Sequence, residues 1–258
     1  MNSETPPSSS PPETDPAWMG TGSMPLDVGV AIQRRRAELG AYNRWIVDEI
    51  RPYIGHRVVD VGCGTGNILE FLLDRDRVVG IDIGDEFIEL ARSRFGDLPN
   101  VDLHVADIAD VSTLGTLSGE RFDSVVCVNV LEHVERDLTA LHNMGGLLEP
   151  GGRVVLFVPA LPFLHGTMDE VDGHHRRYTK RSLSDAFNGA GFIVERMYYM
   201  NLPGMFAWFL DARILRRRFV PASHDGLFQK IVPRIAAIER RIRPPLGLSL
   251  LAVGKRAV

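Results

Sequence analysis

The stretch VVDVGCGTGN, residues 58–67, runs from a β-branched segment directly into a loop with three glycines. Valine-rich segments favour strands, and glycines at a strand end let the backbone turn sharply and approach a ligand. Gly62, Gly64 and Gly66 follow the spacing G-x-G-x-G, which differs from the G-x-G-x-x-G pattern of dinucleotide pyrophosphate sites. Asp60, inside the segment, would repel a phosphate and attract an ammonium group. The stretch therefore predicts a site for a ligand with a cationic, phosphate-free end.

Strand-like and helix-like segments alternate on both sides of this loop. The segments that predict strands are 57–62, 77–83, 101–108, 122–130, 152–160 and 192–201, with a last strand near the end of the chain. The segments that predict helices are 31–54, 67–75, 85–95, 135–148 and 180–191. Because most strands are near-continuous runs of valine, isoleucine and leucine, the pattern indicates an α/β fold with a parallel sheet covered on both faces.

The chain divides into four parts by composition. The length of 258 residues favours one domain with additions over two equal domains. The first 25 residues are rich in Pro and Ser and poor in aliphatic side chains, so we expect a disordered tail. The expected organisation is a tail, a core with an N-terminal helix, a helical, basic and aromatic insertion, and a last core strand, over residues 1–25, 26–202, 203–246 and 247–258.

The bulk composition excludes several classes of protein. The hydrophobic fraction of 45% and the charged fraction of 24% are those of a soluble globular protein. A formal net charge of −4 gives no reason to expect nucleic-acid binding, and no apolar run is long enough to cross a membrane. Two cysteines, Cys63 and Cys127, cannot build a disulfide framework and are expected to be packing residues. A cytoplasmic location is the expectation that follows.

The order of the motifs resembles that of the class I S-adenosylmethionine-dependent methyltransferases over roughly residues 40 to 258. The glycine loop resembles their first motif, VVGIDI their acidic strand end, ADI their adenine-facing position, FDSVVCVNVLEHV their fourth strand, and LLEPGGRVVLFVP their fifth. The resemblance implies a Rossmann-like, seven-stranded, mostly parallel sheet with an antiparallel last strand. It also implies helices on both faces and a helical lid inserted between strands six and seven.

The resemblance implies a set of cofactor-binding residues for S-adenosylmethionine. Asp60 and the glycine loop would hold the methionine part, Asp82 the ribose, Asp107 and Ile108 the adenine, and Asn129 and Val130 the floor near the sulfonium. The full set is Asp60, Gly62, Cys63, Gly64, Gly66, Asp82, Ile83, Asp107, Ile108, Asn129 and Val130. For Asp107, a helix cap or turn is the alternative interpretation.

Glu132 and His133 follow the fourth strand, where the resemblance places the reactive methyl group. His133 is a candidate general base because imidazole titrates near neutral pH, whereas Glu132 often has a structural role in the family. Quinone-type O-methyltransferases of this class carry E-x-x-E-H, with two glutamates and the histidine on a divalent cation. Here Asn129 replaces the first glutamate, and Mg²⁺ prefers several oxygen ligands, so the expectation of a metal is weakened.

The segment MDEVDGHHRRYT, residues 168–179, is a dense polar cluster after the fifth strand, and we expect it to wall the acceptor pocket. His174 is the second catalytic candidate and is expected to face inward, with His175 exposed. The expected substrate-binding residues are His165, Asp169, Arg176, Arg177 and Tyr178. An alternative stays open in which the arginines brace Asp169 or Asp172 and Tyr178 packs before the next helix.

These features together predict methylation of a hydroxyl group on a small molecule, a sugar or a lipid-linked glycan. An amine acceptor, as in N-methylation of an amino sugar, is the alternative enzyme, and a non-catalytic methyltransferase-like subunit is the alternative from another class. Residues 203–245 carry nine basic and three acidic side chains among apolar ones. This composition predicts either a packed lid with solvated arginines, a homodimer contact or a peripheral contact with an anionic membrane.

Overall fold

A computed structural model describes residues 39–117, 119–219 and 225–257, the side chain of Asp225 excepted. A seven-stranded sheet in the order β3-β2-β1-β4-β5-β7-β6 forms its centre. The strands are β1 (Arg57–Val61), β2 (Arg77–Asp82), β3 (Val101–Val105), β4 (Phe122–Val128), β5 (Leu148–Pro159), β6 (Phe192–Met200) and β7 (Ser249–Arg256).

Only β7 runs against the other strands. The pairs of β1 with β2 and β4, of β2 with β3, and of β4 with β5 are parallel, whereas β7 is antiparallel to both β5 and β6. The predicted fold class is confirmed in strand number, strand direction and the antiparallel last strand. Because β1 lies beside β4 as well as β2, the strand order reverses at β1, where open sheets of this type bind ligands.

Seven α-helices cover the sheet in the described part of the chain. They are α1 (Gly40–Ile50), α2 (Asp85–Phe95), α3 (Asp137–Leu147), α4 (Thr167–Asp172), α5 (Lys180–Gly189), α6 (Leu202–Trp208) and α7 (Asp225–Ile242). A π-helical turn over Phe209–Ile214 continues α6, so most of the described residues between β6 and β7 are helical, as predicted. The predicted tail, residues 1–25, lies outside the described residues, and the lid role of 203–246 stays a prediction.

Two hydrophobic cores, one on each face of the sheet, explain why the strands are almost entirely apolar. In β1, Val59 and Val61 point into one core, while Val58 points into the other. In β5, Val154, Leu156 and Val158 alternate in the same way with Val155 and Phe157. Successive side chains of a strand point to opposite faces, so a sheet covered on both sides needs an unbroken apolar run.

One predicted helix is wrong. Residues 67–75 form only a short 3₁₀ turn, Leu69–Phe71, between other turns. Three glycines with positive φ precede it, and the next strand begins at residue 77, so too few residues remain for a stable α-helix. Burial of Leu69 and Leu72 fixes the segment instead, which is why its leucines gave a helix-like pattern.

No helix among the described residues is both long enough and apolar enough to cross a membrane.

Candidate active site

A cavity of about 960 Å³ opens at the carboxyl ends of the parallel strands. Nine of the eleven predicted cofactor-binding residues line it: Asp60, Gly62, Cys63, Asp82, Ile83, Asp107, Ile108, Asn129 and Val130. The predicted catalytic residues His133 and His174 line the same cavity. Ligand sites of open α/β sheets lie at this edge, because the loops that follow parallel strands converge there.

The glycine loop is shaped by its packing partners. Gly62 has φ 69°, and a Cβ atom there would lie 2.2 Å from Cγ2 of Val130. Gly66 has φ 88°, and its Cβ would lie 2.3 Å from Cε2 of Phe95. Gly64 and Gly66 are not among the residues that line the cavity, and their contact with the cofactor stays a prediction. Gly66 allows close packing of α2, and the Gly64 amide positions Asp82.

Asp82 ends β2 with both carboxylate oxygens oriented by backbone amides. The N–H of Gly64 donates to Oδ2 and the N–H of Gly84 donates to Oδ1, each over 2.9 Å. Burial raises the pKa of Asp82 in spite of these hydrogen bonds. A carboxylate oxygen accepts more than one hydrogen bond, so Asp82 can still accept from two neighbouring hydroxyl groups in the cavity.

Asp60 is a buried carboxyl group with an unsatisfied oxygen. Its side chain is 2% exposed, and its Oδ2 has no hydrogen-bond partner among the described residues. Burial and the neighbouring charge of Asp82 raise the pKa of Asp60 to about 8. A buried acid with an unsatisfied oxygen destabilises a fold, and such groups concentrate in functional sites. The geometry suits a cationic ligand group that would restore the charged form.

Part of the cavity lining is apolar and suits a flat ring. The Ile83 side chain is 73% exposed, an unusual value for isoleucine directly after a buried strand. Asp107 accepts a hydrogen bond from the N–H of Ala109 over 2.8 Å, which agrees with its alternative interpretation as a turn residue. Asp107 also lines the cavity. Asn129 directly follows β4 and has φ 53°, a conformation that asparagine tolerates better than most residues. Phe87 also lines this region, and the sequence analysis did not identify it.

Three side chains from two distant loops meet beside the cofactor-binding residues. The rings of His133 and His174 pack edge to face with centroids 4.7 Å apart. Nε2 of His174 lies 3.9 Å from Oε1 of Glu132, whose side chain is fully buried. One ligand-type atom from each of these three residues lies within 4.8 Å of the other two. Glu132 and His133 follow β4, whereas His174 lies in the loop between α4 and α5.

His174 is held in place by Asp169. Nδ1 of His174 lies 2.7 Å from Oδ1 of Asp169, and Nε of Arg177 donates to the same oxygen over 2.7 Å. The N–H of Gly166 donates to the other oxygen, Oδ2. Burial opposes ionisation of Asp169, but the hydrogen bond of His174 and the charge of Arg177 outweigh it and hold the pKa of Asp169 below its usual value.

Most of the five predicted substrate-binding residues have hydrogen bonds or ion pairs with other residues of the protein. Four of them are not among the residues that line the cavity, and their direct contact with a substrate stays a prediction: His165, Asp169, Arg176 and Tyr178. Tyr178 donates to Asp137 over 2.9 Å, and Arg176 pairs with Asp137 over 2.7 Å. Arg177 reaches the cavity but is 5% exposed and also donates to the carbonyl of Ala160. The bracing alternative therefore fits the geometry, because these side chains already have partners within the protein.

Trp208 lines the cavity, and the sequence analysis did not identify it as a site residue. The guanidinium of Arg177 lies 4.7 Å from the centre of its indole ring. The indole nitrogen is buried and has no hydrogen-bond partner within the described ranges. Trp208 is the last residue of α6, and a π-helical turn begins at the next residue, Phe209. Turns of this kind often occur at functional sites.

The fold and the site define a class of protein. A sheet of this order, with a glycine loop after its first strand and an acid at the end of its second, is a Rossmann-like nucleoside-binding fold. Residues 58–152 match a family model described as a methyltransferase domain. The chain carries a class I S-adenosylmethionine-dependent methyltransferase domain, as its sequence motifs predicted.

Relatives and solved structures agree with this assignment. A ubiquinone biosynthesis O-methyltransferase of Alkalilimnicola ehrlichii is 35% identical over 102 residues, 39% of this chain and 40% of that protein. An uncharacterized methyltransferase of Mycobacterium bovis is 35% identical over 120 residues, 46% of this chain and 58% of that protein. This chain spans about half the length of the curated relatives that it matches.

The crystal structure of an S-adenosylmethionine-dependent methyltransferase from Mesorhizobium loti shares the fold. Its TM-score is 0.54 at 18% sequence identity, over 79% of this chain and 92% of that chain.

Proposed function

We propose that this protein transfers a methyl group from S-adenosylmethionine to a hydroxyl group of a small molecule, a sugar or a lipid-linked glycan. The observation that carries the proposal is the position of His174. Its ring is oriented by the buried Asp169 and lies in the same cavity as Asp60 and Asp82. A hydroxyl acceptor must lose a proton when it is methylated, and an oriented imidazole is suited to accept it.

The residues of the cavity fit S-adenosylmethionine. Asp60 offers a buried, unsatisfied carboxyl oxygen to the ammonium group, and Asp82 offers oriented oxygens to the ribose hydroxyls. Ile83 and Ile108 offer an apolar surface to the adenine ring, with Asp107 at its edge. When bound, the cofactor supplies a methyl group on a positively charged sulfur, which is already activated for transfer.

His174 supplies the proton acceptor in this proposal. A carboxylate only accepts hydrogen bonds, so in the neutral ring the proton resides on Nδ1, toward Asp169, and the lone pair resides on Nε2. Nε2 faces the cavity side of the ring, near Glu132. His133 packs against this ring and is the second candidate for the same role. The indole N–H of Trp208 is available to donate a hydrogen bond to an acceptor oxygen.

Two alternatives remain as candidate functions. An amine acceptor that is already neutral needs no base, so N-methylation would leave the oriented His174 without a chemical role. A non-catalytic subunit would have no use for the same group. The curated O-methyltransferase relative agrees with an oxygen acceptor, although it matches only part of each protein.

The test compares His174→Ala and His133→Ala with wild type against pools of hydroxyl and amine acceptors. His56→Ala is the control, because His56 is an exposed histidine outside the cavity. We expect the rate of O-methylation to fall about 100-fold or more in at least one cavity variant, with nearly unchanged cofactor affinity by calorimetry. Full activity in both variants, or transfer only to amines, would contradict the proposal.

We also propose that α7 contacts an anionic membrane surface. Leu227, Ile231, Ile238 and Ile242 are exposed by 37–66% and recur at positions i, i+4, i+11 and i+15, which places them along one stripe of the helix. The opposite face packs into the core through Val232 and Ala236.

Basic side chains flank this apolar stripe. Lys230, Arg234 and Arg241 are exposed along one edge of it, while Arg240 and Arg243 point away and bind Glu49. An apolar stripe beside a row of cations is suited to the boundary between anionic headgroups and acyl chains. A second copy of the chain is less suited, because a two-fold contact would bring the two rows of cations together.

The membrane proposal is tested by sedimentation of the full chain with phosphatidylcholine vesicles that contain or lack phosphatidylglycerol. We expect binding only to the anionic vesicles, and loss of binding when Ile231 and Ile238 are both replaced by Gln. Ile193→Gln is the matched control, because Ile193 is 62% exposed on β6. Absence of binding, or a dimer in solution that the double variant dissociates, would overturn the proposal.

A further inference from the structure

Glu132, His133 and His174 form a two-histidine, one-carboxylate cluster at the acceptor end of the cavity. Their three ligand-type atoms lie within 4.8 Å of one another, and all three residues line the cavity. Bonds from a divalent transition metal to imidazole nitrogen or carboxylate oxygen are about 2.0–2.2 Å, so neighbouring ligand atoms lie about 3–4 Å apart. The observed separations of up to 4.8 Å are therefore close to those of a metal-bound set.

The position of Asp169 is the second observation that points to a ligand. Metal-binding histidines almost always donate their other ring N–H to a carboxylate or a carbonyl. Here Nδ1 of His174 has such a partner, Asp169, at 2.7 Å, and this leaves the lone pair of Nε2 toward Glu132. Arg177 and the amide of Gly166 hold Asp169 in turn. The ring is thus oriented before any ligand binds.

Charge and access also fit a cation. Glu132 is fully buried, and Oδ2 of Asp172 lies 4.0 Å from Nε2 of His174, so two carboxylates surround the histidine nitrogen. Asp172 lines the same cavity as the three cluster residues, so a ligand in the cavity can approach the cluster. Three protein ligands with an open position are typical of catalytic metal sites rather than structural ones.

We propose that Glu132, His133 and His174 bind one divalent first-row transition metal ion, such as Zn²⁺ or Mn²⁺. Two imidazoles favour these ions over Mg²⁺, which prefers oxygen ligands. His174 supplies the third ligand in place of the glutamate that the E-x-x-E-H pattern has at the position of Asn129. It lies 42 residues beyond Glu132 in the sequence. The binding site stands on geometry alone, whereas its role rests on the proposed function.

That role is to hold the acceptor hydroxyl at the open position. A bound cation would lower the pKa of a coordinated hydroxyl group, so that its proton could pass to water on the open side of the cavity. In the metal-loaded protein Nε2 of His174 would be a metal ligand and not a proton acceptor, so the role of His174 as a base applies to the metal-free protein. The metal-loaded and metal-free proteins are therefore expected to differ in rate and in their response to a chelator.

Metal binding is measured first, by titration of the metal-free full chain with ZnCl₂ and with MnCl₂ in a calorimeter. We expect one ion per chain, and at least about 100-fold weaker binding in Glu132→Gln, His133→Ala and His174→Ala. We expect the metal affinity of Asp169→Asn to be about 10–100-fold weaker, as is usual when a residue that orients a metal ligand is replaced. His56→Ala is the matched control, and circular dichroism establishes that each variant is folded.

The results separate this inference from the proposed function. Binding that is no stronger in wild type than in His133→Ala and Glu132→Gln would overturn the metal site. Methyl transfer that survives in the demetallated protein would overturn the role of the metal and leave the proposed function standing. Tight binding that all three ligand substitutions abolish would support the site even if no acceptor is methylated.

Discussion

Oδ1 of Asp169 lies 2.7 Å from Nδ1 of His174 and 2.7 Å from Nε of Arg177, so one buried oxygen joins the candidate catalytic ring to a buried cation. The arrangement fixes the tautomer and the direction of the ring without direct contact between Asp169 and the cavity. Asp169 is therefore a positioning residue. A charged group with buried partners on both sides is costly to disturb, which makes the role testable.

Asp169→Asn removes the negative charge and the preference for the proton on Nδ1 of His174. We expect kcat to fall about 100-fold while the KM for S-adenosylmethionine stays within about two-fold, because the cofactor residues are not touched. Asp169→Glu keeps the charge and should recover part of kcat. Steady-state kinetics with unfolding curves checks this, and equal losses in kcat and cofactor affinity would indicate a merely structural role.

Asp60→Asn should stabilise the ligand-free protein in a pH-dependent way. The pKa of Asp60 is about 8 in the folded state and about 3.9 in an unfolded chain. Between these values the folded state retains a proton that the unfolded state has released, so wild-type stability falls as pH rises through this window. The unfolding free energy of the wild type falls by up to about 1.4 kcal/mol per pH unit in this window, and asparagine avoids this loss because it does not titrate.

Urea unfolding of the ligand-free protein between pH 4 and pH 8 measures the difference. The advantage of Asp60→Asn should grow with pH in this window and level off above it. Asp97→Asn, a substitution of an exposed aspartate, is the control and should track wild type. Parallel curves for wild type and Asp60→Asn would show that the Asp60 carboxyl is not a buried acid with a raised pKa.

Asp82→Ala removes the carboxylate that is oriented by the amides of Gly64 and Gly84. Hydrogen bonds to charged groups contribute about 1.5–3 kcal/mol, so cofactor affinity should weaken about 10–100-fold. Calorimetric titration with S-adenosylhomocysteine and S-adenosylmethionine measures the loss. Asp76→Ala is an exposed control. Unchanged affinity in Asp82→Ala would remove the ribose assignment.

Gly62→Ala should destabilise the glycine loop, whereas Gly146→Ala should not. At position 62 the Cβ atom of alanine would clash with Val130, and the residue would have to keep a positive φ. Together these two effects cost about 2–4 kcal/mol of folding free energy. At Gly146, within α3, nothing lies within 4 Å of the added Cβ, so alanine should stabilise the helix by about 0.5–1 kcal/mol. Thermal unfolding compares them, and equal melting temperatures would contradict the packing of the loop.

Local sequence patterns predicted the strands well because the features that define these strands lie within a few consecutive residues. A strand buried on both faces requires an apolar run, and Val58, Val59 and Val61 supply it within a few residues. The same rule failed at residues 67–75, where the leucines are buried for tertiary reasons and the glycines before them do not support a helix. The number of strands and the antiparallel direction of β7 agreed with what the family resemblance implied.

The sequence by itself determined the fold class and nine of the residues that line the cavity, because those residues lie in or shortly after the carboxyl ends of strands. Only the tertiary structure brought His174 to Glu132 and His133, since the two segments approach each other through the pairing of β4 with β5 and the loops beyond. Burial likewise decided that Arg177 and Tyr178 bind protein partners. Contacts between loops depend on how whole elements pack, and no short stretch of sequence records that distance.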